Sequence, residues 1–357
     1  MFQRLLTWVR SDVWRVVAIG LGVVLVVVVL VSSVGGADPD ADPAPEAGNV
    51  SSSPTGTDGS SGNGSADIAS APEESGSASS DDEGFLAIKI DNAPMARPLV
   101  GIGEVSLLIE VPVEGGITRF TAFYSRDDSG VVGPIRSLRP VDADLLPPLA
   151  VHVVSTGGQP FVLQAVEATG VQLITPILFD QFQSGGRSAP YDTFLDLDIL
   201  LPLIGGSDLN AIGLPAGDLP SASGTASSVE VPIGSAEFRY EDGVYARYEA
   251  GEQFQVLDSL DGQLSPLVHE TVIVMKVAER PAGYDDSNGA PVPTFDVIGS
   301  GELLVFRNGE VVEGSWTRSA QADPFVFLDS GGNPFGIPAG SIYLALVPRD
   351  QEVIFGS

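Results

Sequence analysis

No stretch limits the folding of this chain as much as residues 16–36, which carry no charge. Residues 16–31 are apolar residues and glycine without interruption, and the 21 uncharged positions reach roughly 31 Å as a helix at 1.5 Å per residue, enough to span a bilayer. The basic residues before the run (Arg4, Arg10, Arg15) and the acids after it predict a cytoplasmic amino terminus (residues 1–15) and an exported remainder. A cleaved signal peptide is the competing assignment, with Ser33 and Gly35 suiting a small-x-small site. Signal-peptide apolar regions usually span about 7–15 residues, so the length favours an uncleaved transmembrane helix.

Residues 37–84 contain 11 acids, no base and scarcely any large apolar side chain. Such a segment cannot bury enough surface to offset the entropy of ordering it, which predicts a disordered, self-repelling linker. Net charge over the whole chain is -30, from 17 basic and 47 acidic residues. A nucleic-acid partner is excluded on that ground, because phosphate neutralisation needs clustered Lys and Arg. Zero cysteines exclude disulfides, thiolate metal sites and lipidation at Cys, and two histidines exclude a His-rich metal centre. No sequence pattern calls for a metal or another cofactor. The charge is uneven: residues 85–140 balance six bases against six acids, whereas residues 141–357 hold eight bases and 29 acids.

The expected fold class is α+β, with a mixed α/β domain over residues 85–204, a linker over 205–228 and a mainly antiparallel β domain over 229–357. Residues 85–90, 105–111, 118–124 and 151–154 read as strands rich in β-branched and aromatic residues. A Gly157-Gly158 turn and Pro160 then open a helix to about Ala168. A strand, a glycine turn and a helix start together predict free amides that suit an anion, although two glycines before a helix also make a plain tight connection. In the second domain Asp242-Gly243 and Asn308-Gly309 mark two hairpins of the type I′ class.

Three stretches of the charge-balanced segment hold the chemistry: Lys89-Ile90-Asp91-Asn92 with Ala96-Arg97-Pro98; residues 110–120, from Glu110 through Glu114 and Gly115-Gly116 to Arg119-Phe120; and Gly133-Pro134-Ile135-Arg136-Ser137-Leu138-Arg139-Pro140. Together with FDVIGSGELLVFRNGEVVEGSWTR (residues 295–318) and FLDSGGNPFGIPAG (residues 327–340), they resemble the YerB-like family, bacterial lipoprotein-like proteins built around a two-part domain of unknown function. The resemblance spans residues 85–348 and implies an envelope-facing, two-domain protein with no established activity. Family members are often attached through a lipidated Cys; this chain has none, so the apolar run would take over that role. A Pro-His-Asn triplet of the family reads Pro190-Tyr191-Asp192 here, after Arg187, which argues against a His-dependent mechanism.

Arg97, Arg119, Arg136 and Arg139 stand near Gly or Pro in strand-and-turn sequence. Arginine grips carboxylate or phosphate through a planar fork and stays charged. With Gly157 and Gly158 they make a candidate site for an anionic group on a cell-wall fragment or an envelope protein. Equally, they could form an ion-pair network with Asp91, Glu110 and Glu114. Those three carboxylates are also the candidates for a glycan hydrolase, which needs two acids about 5–9.5 Å apart. Carboxylates facing each other across an open cleft would favour hydrolysis, and arginines facing it would favour binding. His152, ending an apolar strand, is expected to be packed, and His269 to lie on the surface. Asp258 with Asp261, and Asp285 and Asp286 with Asn288, read as acidic turns, since neither matches a twelve-residue calcium loop.

Overall fold

β-branched and other apolar residues build Leu86–Asp91 (β1) and Leu107–Pro112 (β2), and threonines with aromatic residues build Thr118–Tyr124 (β3). The short helix Asp142–Leu145 (α1), the strand His152–Val154 (β4), the helix Pro160–Glu167 (α2) and the strand Gln172–Ile174 (β5) follow. This is a computed structural model, and it describes residues 86–147, 149–150, 152–176, 182–204 and 214–357. The expected membrane helix and acidic linker, and residues 205–213 of the second linker, lie outside the described residues. Among the described residues no helix is long and apolar enough to cross a membrane.

The later part of the chain forms Ser228–Val231 (β6), Ala236–Glu241 (β7), Val244–Glu249 (β8), Thr271–Asp285 (β9), Pro291–Asp296 (β10), Gly299–Arg307 (β11), Glu310–Arg318 (β12) and Ile342–Pro348 (β13). Asp242 and Asn308 adopt φ of 49° and 55°, each followed by a glycine of positive φ, so the turns between β7 and β8 and between β11 and β12 have the backbone that Asp-Gly and Asn-Gly favour. The result is a sheet-rich α+β fold with few helices.

Thirteen strands of the described residues form one sheet, with β12-β11-β9-β13-β2-β3-β1-β4-β5 as its central run. The sheet crosses from the later segment to the earlier one where β13 pairs in parallel with β2, Ala345 standing opposite Glu110. All described residues fall in one compact unit.

Because successive side chains of a strand point to opposite faces, the sheet divides its core in two. Leu86, Ile88, Ile90, Leu108, Phe120, Val272 and Tyr343 pack on one face against Val229, Phe238 and Tyr245 of a second sheet. Ala87, Ile109, Phe123, Ile273 and Leu344 pack on the other, beneath Leu138, Leu145, Leu146, Val162 and Val166.

Each face also buries charge. On the first, Glu110 is wholly buried and accepts hydrogen bonds at Oε1 from the Thr118 hydroxyl (2.5 Å), Asn92 Nδ2 (3.2 Å) and Arg247 Nη2 (3.2 Å), and at Oε2 from Tyr343. Burial pushes Glu110 up, while Arg247 and the Thr118 hydroxyl oppose that shift. On the second face, Lys89 Nζ reaches Asp142 Oδ1 at 2.7 Å with both side chains fully buried, and also donates to the Thr121 hydroxyl at 3.0 Å.

His269 corrects the expectation of a surface histidine. It is 1% exposed, because Tyr245 of β8 pairs with it and the Tyr343 ring packs edge-on at 5.3 Å. Neither ring nitrogen has a hydrogen-bond partner, and burial, helped by Arg247, pulls its pKa down to about 3. A base held neutral in the folded state but free to charge near 6.5 when unfolded gives stability that is complete above pH 6.5 and lost as pH falls toward 3. The loss attributable to this residue approaches ~1.4 kcal/mol per pH unit. Unfolding measured from pH 7 to pH 4 should therefore show a shallower fall for His269→Leu than for the parent; equal slopes would reject this assignment.

Candidate functional site

The turn after β2 brings Glu114 to Arg119, and the segment from Pro134 runs beside β1, where Asp91 N donates to Pro134 O at 2.9 Å. Asp91 and Arg119 are direct cross-strand neighbours between β1 and β3. Arg136 and Arg139 follow, tied down where Arg136 N donates to Lys89 O (2.8 Å) and Arg139 N to Asp142 Oδ2 (2.6 Å). The buried Lys89–Asp142 pair thus fixes the segment that presents both arginines.

Glu114, Arg119, Arg136 and Arg139 line a cleft of about 420 Å³ together with Ser137, Thr156, Gly158, Gln159 and, from the later part of the chain, Tyr284, Asp286, Ser287, Asn288 and Val292. The first half of β9 lies in the sheet. Its second half runs out with β10 as an exposed hairpin whose register shifts between Pro281 and Asp285, and whose Tyr284 ring meets Phe161 edge-on at 5.2 Å. Asp286, at the turn of the hairpin, uses its carboxylate on the amides of Asn288 (2.9 Å) and Ala290 (2.8 Å).

Two guanidinium groups share one carboxylate in the cleft. Arg139 Nε donates to Glu114 Oε2 at 2.7 Å and its Nη2 to Oε1, while Arg119 Nη2 reaches the same Oε1 at 3.3 Å. Burial works against the Glu114 carboxylate, but the Arg139 hydrogen bond and both positive charges hold it below the usual range. Burial and the neighbouring Arg139 pull Arg119 down to about 10. Arg119 Nη1 donates to Ser137 O at 2.7 Å, and its Nε, in a residue 3% exposed, has no hydrogen-bond partner. Arg136 Nε lies 2.6 Å from Asp91 Oδ2, and its guanidinium stands 5.8 Å from the centre of the Tyr191 ring. Among the described residues its two terminal nitrogens have no hydrogen-bond partner. At the start of α2 no side chain caps the helix, and the amides of Gly158 and Gln159 are unpartnered among the described residues. Gly157 takes φ of 124°, a backbone region that favours glycine.

The structure brings together Arg119, Arg136, Arg139, Gly158, Asp91 and Glu114, with Gly157 beside them. Arg97 lies elsewhere: it donates to Glu249 Oε1 (2.8 Å) and stacks on Phe254 at 4.7 Å. Glu110 is on the opposite sheet face from Asp91 and Glu114. Those two are each held by arginine, so among the three carboxylates none faces another across open space. Tyr284, Ser287 and Asn288 were not legible as cleft residues, since they come from more than 160 positions downstream of Arg119. Tyr191, at the altered Pro-His-Asn triplet, does meet Arg136.

Residues 72–209 match the family described as protein of unknown function (DUF3048), N-terminal domain, and residues 229–344 match its C-terminal domain. The chain belongs to this two-part family. Its relative in Bacillus subtilis (strain 168), named "Putative lipoprotein YerB", is 21% identical over 248 residues, covering 65% of this chain and 72% of the relative. The crystal structure of YerB protein from Bacillus subtilis has the same fold, with a TM-score of 0.64 at 21% identity over 77% of this chain and 95% of that one. The two matched regions together include the strands and turns that build the cleft.

Proposed function

We propose that this DUF3048 protein is a membrane-anchored, extracytoplasmic component of the bacterial cell envelope that binds an anionic group in the cleft between Arg136 and the start of α2. The observation that carries the reading is the uncommitted donor capacity of one cleft: the terminal nitrogens of Arg136, the buried Arg119 Nε and the Gly158 and Gln159 amides. Charge-assisted donors and an uncapped helix start both favour an anion over water. The lipoprotein name of the Bacillus relative and the uncharged run at residues 16–36 support membrane attachment. Wall material or another envelope protein would supply the group. Hydrolysis by Asp91, Glu110 or Glu114 is disfavoured by their separation onto two sheet faces and by the arginines that hold them.

A photo-crosslinking residue at Gln159, on the exposed rim, tests the proposal in living cells against the same residue at Ile199, 48% exposed and outside the cleft. Gln159 should capture wall material or a discrete envelope protein that Ile199 does not, and Arg136→Ala should reduce that capture at least tenfold at unchanged protein level. Capture insensitive to Arg136→Ala, or equal at the two positions, would sink it.

A further inference from the structure

The cleft offers more than charge. The Ser137 and Thr156 hydroxyls, 3.2 Å apart, bond to each other and keep further donor and acceptor capacity. Among the described residues the Gln159 amide and the Ser287 hydroxyl have no hydrogen-bond partner. Beside them the Phe161 ring, 50% exposed, meets Tyr284 edge-on. Val292 is the sole aliphatic side chain among the described residues that line the cleft, so an acyl chain or an apolar peptide side chain finds no subsite. A bare anion would satisfy the arginines and leave the neutral polar groups without a counterpart. Sites that hold a ligand in one orientation match polar groups to polar groups, and unmatched ones lower affinity.

We infer that the ligand is an acidic carbohydrate, a hydroxyl-rich ring bearing a carboxylate or phosphate. This rests on the anion-binding reading above and names the chemistry of its ligand. The acidic group lies at Arg136 and the Gly158 amide, the ring hydroxyls meet Thr156, Gln159 and Ser287, and the C–H face of the sugar covers the Phe161–Tyr284 edge. Carboxylate and phosphate are both served by the same planar fork.

Calorimetric titration of the full-length protein in detergent tests this with five probes: glucuronic acid, glucose 6-phosphate, glucose, inorganic phosphate and an acetylated dipeptide with a free carboxylate. Glucuronic acid or glucose 6-phosphate should bind at least tenfold tighter than phosphate, glucose or the dipeptide, and the better of the two identifies the acidic group. Thr156→Val and Gln159→Leu should each weaken the acidic sugars threefold or more and leave phosphate unchanged, while Arg136→Ala should weaken both classes; thermal melting confirms that each variant is folded. If phosphate or the dipeptide binds as tightly as the acidic sugars and the Thr156 and Gln159 variants change nothing, the carbohydrate inference fails while anion binding stands. Glucose binding as well as the acidic sugars overturns the acidic part. If no anionic probe binds, the anion reading fails and this inference with it.

Discussion

Replacing Arg247 with methionine should destabilise the protein by about 3–5 kcal/mol at pH 7, because it leaves a buried carboxylate without its counter-charge. Glu110 and Arg247 are both fully buried, and the Arg247 guanidinium also stacks on Phe254 at 4.3 Å and donates to Glu249 at 3.1 Å. Methionine keeps much of the aliphatic packing and removes the charge together with its hydrogen bonds to Glu110 and Glu249. Stranded in the core, Glu110 would protonate rather than stay ionised, which makes the penalty smaller at pH 4.5 than at pH 7. The double variant Glu110→Gln with Arg247→Met should recover at least half of the lost stability, since a neutral amide can still meet Thr118 and Asn92. Urea unfolding followed by fluorescence of Trp316, which is wholly buried, reads these differences. A single variant within 1 kcal/mol of the parent would show that the pair is dispensable.

Lys89→Met should cost a similar amount, about 3–5 kcal/mol, for the same physical reason on the other sheet face. It should also disturb the cleft, which Arg247→Met should not. Asp142 accepts from Lys89 with one oxygen and from the Arg139 amide with the other, so the ion pair holds the Arg139 turn onto the sheet. Burial lowers the Lys89 pKa, and Asp142 opposes that shift without reversing it. Hydrogen exchange should report faster opening around residues 139–146 in Lys89→Met at a denaturant concentration where the remainder of the sheet stays protected. Adding Asp142→Asn should restore part of the stability but not the slow exchange of the Arg139 amide. Uniform loss of protection throughout the sheet would show that the pair supports the whole fold and has no local role at the cleft.

Much of the local structure could be read from residue type. The strands around Lys89, Ile109 and Phe120 follow from their β-branched, apolar and aromatic residues, the two type I′ hairpins from Asp-Gly and Asn-Gly, and the start of α2 from Pro160. The convergence of Arg119, Arg136 and Arg139 with the Gly157-Gly158 turn was also within reach, because all five lie within 40 residues and the intervening strands are short. Arg97 and His269 show the limit. Arg97 is closer in sequence to Asp91 than any of these, yet its guanidinium pairs with Glu249 and stacks on Phe254, away from the cleft. His269 stands between Val268 and Glu270 just before β9, and only the pairing with β8 and the Tyr343 ring encloses it.

What the residues determined by themselves is therefore local: which segments extend, where they turn, and that residues 85–140 balance their charges while the residues after them are strongly acidic. Tertiary structure alone decided which face each charge occupies and what stands opposite it. Asp91 and Glu110 are both acids in apolar strands, but pairing places Asp91 opposite Arg119 while Ala345 stands opposite Glu110 on β13, so one carboxylate holds the cleft's Arg136 and the other the buried Arg247. Strand register has a period of two, and a shift of one residue exchanges the faces, so this assignment rests on long-range pairing. The same pairing carries the β9–β10 hairpin out to the cleft, bringing Tyr284 and Ser287 to arginines that no reading along the chain could connect with them.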